Sequence, residues 1–151
     1  MAIQVSGTTV IDNSRNLTNV GSADITGRLK INDVEEFTQT SSSTSGTINF
    51  NLDDQAVLRL TNNQAANRTI NLQPTMDAGT SMTCAVIWPN GGTAYYANTV
   101  QVNGTSSGVD IKWVGGGPSE GTASAWDVYS FTIFETSANT YTILASLTAF
   151  E

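Results

Sequence analysis

From residue 47 onward, apolar and polar positions alternate with a period of two. Ile48, Phe50 and Leu52 alternate with Thr47, Asn49 and Asn51, the pattern of a strand with one buried face. Ala56, Leu58 and Leu60 face one way, and Val57, Arg59 and Thr61 the other. Ile70 and Leu72 follow an Asn-rich turn at 62–67. Met82, Cys84, Val86 and Trp88 share a face that Pro89-Asn90-Gly91-Gly92 terminates. Val100 and Val102 precede Asn103-Gly104, a strong turn signal. Val109, Ile111 and Trp113 precede a glycine-rich loop. Residues 126–134 and 140–147 read as two long strands joined by a hairpin-length connection. No window of ten or more residues joins a helical period to helix formers; the nearest, Ile31 to Phe37, is short and polar. Strands at this spacing predict an all-β fold, an antiparallel β-sandwich or jelly-roll knob over residues 47–151.

Residues 1–46 differ. Ile3, Val5, Val10, Ile11, Leu17, Val20, Ile25, Leu29 and Ile31 form isolated apolar steps between polar turns such as Ser6-Gly7 and Asp12-Asn13-Ser14. These are too few for a core. Such a chain buries its sparse apolar positions against other chains, or stays disordered. The segment reads as an extended N-terminal arm of short strands over residues 1–46; strands of this kind wound around a threefold axis would bury the apolar steps. Thr40 to Gly46 reads as a linker between arm and knob.

Composition then narrows the function classes. The chain of 151 residues has 6 Lys+Arg, 13 Asp+Glu, no His, one Cys and a formal net charge of −7. Thr, Ser and Asn make up about a third of it, and charged residues only 13%, half the ~25% of an average domain. Without His, Ser-His-Asp and Cys-His catalysis are excluded, and no enzyme is expected. One Cys builds neither an internal disulfide nor a thiolate cluster, so no metal or cofactor is expected. Six scattered basic residues argue against a nucleic-acid partner. No apolar run approaches a membrane span, so no membrane insertion is expected. Residues 1–20 lack the basic and apolar regions of a signal peptide. Synthesis in a cytoplasm, with Cys84 reduced and buried, is the expectation.

Among residues with chemistry to offer, the doublets Asp53-Asp54 and Glu35-Glu36 read as solvated turns, because no calcium-loop pattern surrounds either. Trp88 and Trp113 end apolar faces and read as core. Trp126 and the pair Tyr95-Tyr96 are the candidates for receptor or interface contact. Two consecutive strand residues face opposite ways, so one of the tyrosines is expected outside. The loop from Gly115 to Gly121 lacks the Gly-Lys-Ser/Thr of a phosphate loop. It reads as a flexible apical turn, with Gly116 and Gly117 as candidate contact positions. Sequons at Asn16, Asn67 and Asn103 are expected by chance in this composition.

The opening Val5-Ser6-Gly7-Thr8-Thr9-Val10-Ile11-Asp12-Asn13-Ser14-Arg15-Asn16-Leu17-Thr18-Asn19-Val20 resembles a segment of tail-fibre and other virion structural proteins of bacteriophages, notably cyanophages. Its form there is G-T-x-V-I-D-x-x-R-N-L-x-N. Ile48 to Leu52, Val86-Ile87-Trp88-Pro89, Ile111 to Gly117 and Tyr141 to Phe150 resemble strands of the C-terminal domain of such fibres. The resemblance implies a non-catalytic appendage subunit of the virion, made in the bacterial host. It implies a homotrimer that binds other virion proteins through the arm and meets the host surface, a glycan or other receptor, through the knob. Asp12, Arg15, Leu17 and Val20 are then the candidate arm contacts. Asp12 suits an Asx-turn. Arg15 pairs either with Asp12 of a neighbouring chain or locally, as a surface ion pair worth ~0–1 kcal/mol. Two alternatives stand beside a short tail fibre or fibre tip: a capsid decoration or head-fibre protein of the same fold, and a free carbohydrate-binding module.

Overall fold

The structure is a computed structural model that describes residues 35–151 and the strand segments Ile3–Val5 and Thr8–Ile11. The chain divides into two compact units, Met1–Val34 and Glu35–Glu151. In the first, β1 (Ile3–Val5) and β2 (Thr8–Ile11) pair antiparallel, with Val5 opposite Thr8. Asp12, Arg15, Leu17 and Val20 lie outside the described residues.

The second unit is all-β, built of two sheets. Six short or medium strands alternate between them: β3 (Thr38–Ser41), β4 (Ile48–Asn51), β5 (Val57–Leu60), β6 (Arg68–Gln73), β7 (Ser81–Pro89) and β8 (Ala97–Val102). The odd-numbered strands lie side by side in one sheet, in the order β3-β5-β7, and the even-numbered ones in the other, in the order β4-β6-β8. All four of these pairings are parallel. The chain thus winds as a coil with two strands per turn, the arrangement of a short β-solenoid. After it, β9 (Val109–Trp113), β10 (Trp126–Ser137) and β11 (Thr140–Phe150) extend the first sheet to β3-β5-β7-β10-β11-β9. β10 is antiparallel to both β7 and β11, while β9 runs parallel to β11.

The all-β expectation holds, but a purely antiparallel sandwich or jelly roll does not. Short turns between successive strands suggest neighbours paired antiparallel in one sheet. Here the turns carry the chain across to the opposite sheet. The crossover that parallel pairing requires is then supplied by a strand rather than a helix. A period of two reports that a residue sits in a strand, not which strand lies beside it.

The alternating positions meet in one cluster. Ile48, Phe50, Ile70, Leu72, Val100 and Val102 enter it from the three-stranded sheet. Leu58, Leu60, Val86, Trp88, Tyr129, Phe131, Ile133 and Ile143 enter from the six-stranded one. Full burial of such side chains contributes about 1.5–3 kcal/mol each. Trp88 meets Tyr129 edge-on at 5.5 Å, and the Ala97 N–H donates to the Tyr129 hydroxyl at 2.8 Å, a hydrogen bond between the sheets. Cys84 is buried, as expected.

The serine-rich stretch expected as a linker is built into the sandwich. Ser41 closes β3, and the buried Arg68 reaches back to the residues that follow. Its Nε donates to the Gly46 carbonyl at 2.8 Å, and its Nη1 to the Ser43 carbonyl at 2.8 Å and Gln64 Oε1 at 2.7 Å. The sandwich unit therefore includes residues upstream of 47. Lone arginines carry no periodic signal, so nothing in the pattern marked Arg68 as an interior anchor.

Candidate functional site

At one end of the sandwich, β7 finishes at Pro89 directly opposite Trp126, where β10 begins. Two loops emerge there, residues 90–96 and 114–125. A buried polar cluster joins them. Asn90 Oδ1 accepts from the Trp88 indole at 3.3 Å and from the Tyr95 N–H at 3.1 Å. Asn90 Nδ2 donates to the Tyr95 carbonyl and to Asp127 Oδ2, both at 3.0 Å. Asp127 Oδ2 also accepts from the Thr122 N–H at 2.9 Å. Backbone bonds from Asn90 to Ala125 and from Ser124 to Gly91 complete the junction. Gly121 is required by close approach, since a Cβ there would overlap the Tyr95 carbonyl oxygen and crowd Asn90 Nδ2. This cluster is structural: it fixes both loops on the rigid end of the sheet. Asn90 was legible only as a turn residue, because the loop partners that bury it are distant in sequence.

The candidate contact residues occupy three settings. Tyr95 and Tyr96 lie in the loop before β8, not on a strand, so strand alternation does not separate them. Tyr95 packs against the core, and Tyr96 is half-buried, its N–H held by Asn67 Oδ1 at 3.0 Å. Trp126 stands on the outer face of the six-stranded sheet, 45% exposed, with the Arg59 guanidinium 5.4 Å from its ring centroid. Gly116, at φ +100°, and Gly117 are exposed in the loop after β9.

Gly117 borders a cleft of about 290 Å³ between β8 and β9. Val100, Val109, Ile111, Trp113 and Pro118 give it apolar walls, and Asn98, Thr99 and Ser106 bring neutral polar groups. Trp113 is only partly buried; it is propped edge-on by Tyr129 at 6.2 Å and Phe131 at 6.0 Å. An aromatic wall faced by amide and hydroxyl groups suits an uncharged ligand with one apolar face, such as a pyranose ring. Sequence alternation assigned Trp113 to the core alone. It stands at the last residue of β9, where the ring is only partly covered and the loop residues Gly117 and Pro118 border the same cleft.

Burial pushes the Cys84 thiol up to about 12 and raises the Tyr129 phenol as well, so neither ionises near neutrality. The Ala97 N–H opposes the rise at Tyr129, and the Asp127 charge adds to it. Asp53 and Asp54 lie in an exposed turn, as expected. Asp53 accepts from the Thr75 N–H and hydroxyl, both at 2.7 Å. Among the described residues, no three Cys, Asp or Glu side chains come together as a metal site. Comparison with protein-family models, with curated proteins and with solved structures finds no match to this chain.

Proposed function

We propose that the protein is a structural subunit of a bacteriophage virion, a short tail fibre or fibre tip that attaches to the host surface. The observation that carries this reading is the phage-like segment Val5 to Val20, which falls within the N-terminal unit Met1–Val34, upstream in sequence of an all-β sandwich whose end loops are locked in place. In this reading the N-terminal unit binds other virion proteins, the chain assembles as a homotrimer, and the sandwich meets the receptor. A rigid scaffold that carries exposed loops is the common arrangement of binding proteins. The Trp113 cleft favours a neutral surface glycan as that receptor.

Gold-labelled antibody on intact particles tests the location. Label at the tail is the expected result; label on the capsid faces alone overturns it in favour of a decoration protein. Purified protein is expected to block adsorption to host cells, and Trp113→Ala to lose that block while keeping the fold.

A further inference from the structure

The outward side chains of the six-stranded sheet form a surface unlike the rest of the sandwich. Their facing follows from the register: Trp126 lies beside Pro89 and Phe150, Val128 beside Ile87 and Thr148, Ser130 beside Ala85 and Ser146, and Thr132 beside Thr83 and Leu144. Trp126, Phe134, Leu144 and Phe150 are 45%, 37%, 50% and 58% exposed. Among the described residues, no carboxylate stands at an outward position of β5, β7, β10 or β11, and Arg59 is the only charge there. At the β9 edge, Asp110 is neutralised by Lys112 at 2.8 Å. The acidic residues lie instead in turns, such as Asp53, Asp54, Asp77 and Glu120, or inside, as Asp127 and Glu135 do.

We infer that this face is where a second copy of the chain sits, and that the inner surface of the assembly is built from it. Three properties point to a like copy. Two chains of net charge −7 repel each other, and a face whose four central strands carry no outward carboxylate, with Asp110 on the β9 edge paired to Lys112, is a surface on which they meet at low electrostatic cost. Its relief carries both hollows and projections. Small residues in the middle leave hollows of about 220 Å³ around Ser130, Leu144 and Ser146, and about 420 Å³ around Val57, Ala85 and Thr132. Glu36, from the segment leading into β3, borders the second. Trp126, Phe150 and Phe134 on the same face provide the projections. Its size is also sufficient: at ~3.3 Å per residue and ~4.8 Å between strands, the six strands project on the order of 700 Å². A standard interface buries about 800 Å² of accessible surface per partner, and side-chain relief raises the accessible area above the projection. In a trimer, three such faces turn toward the axis as the sides of a prism. This inference deepens the self-assembly part of the proposed function and rests on it.

The test is the mass of the full chain in solution across a dilution series, by sedimentation or light scattering. Wild type is expected as a multiple of 16.0 kDa. Ser130→Asp, at the centre of the face, and Thr148→Asp, near its Trp126 end, place a carboxylate where the copies meet. Each is expected to weaken association at least a hundredfold. Both side chains point outward, so the separated chains should keep the wild-type circular dichroism; Ser130→Ala should keep the wild-type mass. A wild type of 16.0 kDa at every concentration overturns the inference. An assembly that survives both carboxylates overturns it too, because another surface then holds the copies. A monomeric wild type overturns the self-assembly part of the proposed function as well, whereas survival of both carboxylates overturns this face alone; neither result moves the antibody label, which tests the location on the particle.

Discussion

The coil from β3 to β8 and the β10–β11 hairpin share one core, yet they are held by different means. The hairpin strands run 12 and 11 residues and pair along almost their whole length, so the backbone ladder itself fixes them. Apart from β7, the coil strands are four to six residues long. Side chains therefore stitch one turn to the next. Arg68 ties β6 to the 43–46 loop. Asn71, buried on the central strand, donates to Asn49 Oδ1 at 2.8 Å and accepts from the Gly104 N–H at 2.7 Å. Asn62 holds Ser42, and Asn103 holds Pro74. Short parallel strands leave many turn groups that cannot all reach a ladder, and buried groups without partners cost more than bonded ones gain. The high Asn content is in part the chemistry of those turns.

If the coil depends on stitches and the hairpin on its ladder, substitutions should separate them. The largest loss is expected for Arg68→Ala, which strands the Ser43 and Gly46 carbonyls and Gln64 around a void. Urea unfolding should show about 3–5 kcal/mol less stability; an effect under about 1 kcal/mol would break the comparison. Gly121→Ala forces the Tyr95 carbonyl away from the junction and should cost about 2–4 kcal/mol. Its changed near-ultraviolet circular dichroism would report Trp88, whose indole is bonded into that cluster. Asn71→Ala leaves the Gly104 N–H without its acceptor and should cost about 1–3 kcal/mol in thermal or urea unfolding.

The core common to both regions predicts a pH response. Cys84 keeps its proton up to about pH 12 when folded, while a free thiol loses it near 9.0. Between these values the unfolded chain binds fewer protons than the folded one. Stability is thus fully present below about pH 9 and falls as pH rises toward 12. Tyr129 adds to the fall in the same direction. Urea midpoints measured from pH 7 to 11 should decline above 9, and less steeply in Cys84→Ala. The smallest effect is expected in the hairpin turn, where Asn139 sits at φ 57°. Asn tolerates this region, so Asn139→Gly should shift the melting free energy by less than about 0.5 kcal/mol. A larger loss would mean that the turn, not the ladder, holds the hairpin.

Much of this was legible in residue order. Leu58, Leu60, Cys84, Val86, Trp88, Tyr129, Phe131 and Ile143 lie on the buried faces that alternation assigns to them. Asn103-Gly104 makes its turn with both residues at positive φ, as the type I′ turn requires. The loop junction was not legible. Asn90 and Asp127 are separated by 37 positions and look, in sequence, like a turn residue and an ordinary strand polar. Trp113 likewise reads as core because periodicity gives the face of a residue and not how far its neighbours cover it.

The sequence by itself determined most of the strands after residue 47, which face of each is apolar, and that charge would be sparse. These are local properties, set by side-chain period and turn chemistry. Only the tertiary structure decided that neighbouring strands in the chain belong to opposite sheets, that Arg68 closes a turn of the coil from inside, and that the carboxylate-free positions of four strands lie on one face. Each of these depends on which strand lies beside which, and pairing partners distant in the chain leave no mark on the local pattern.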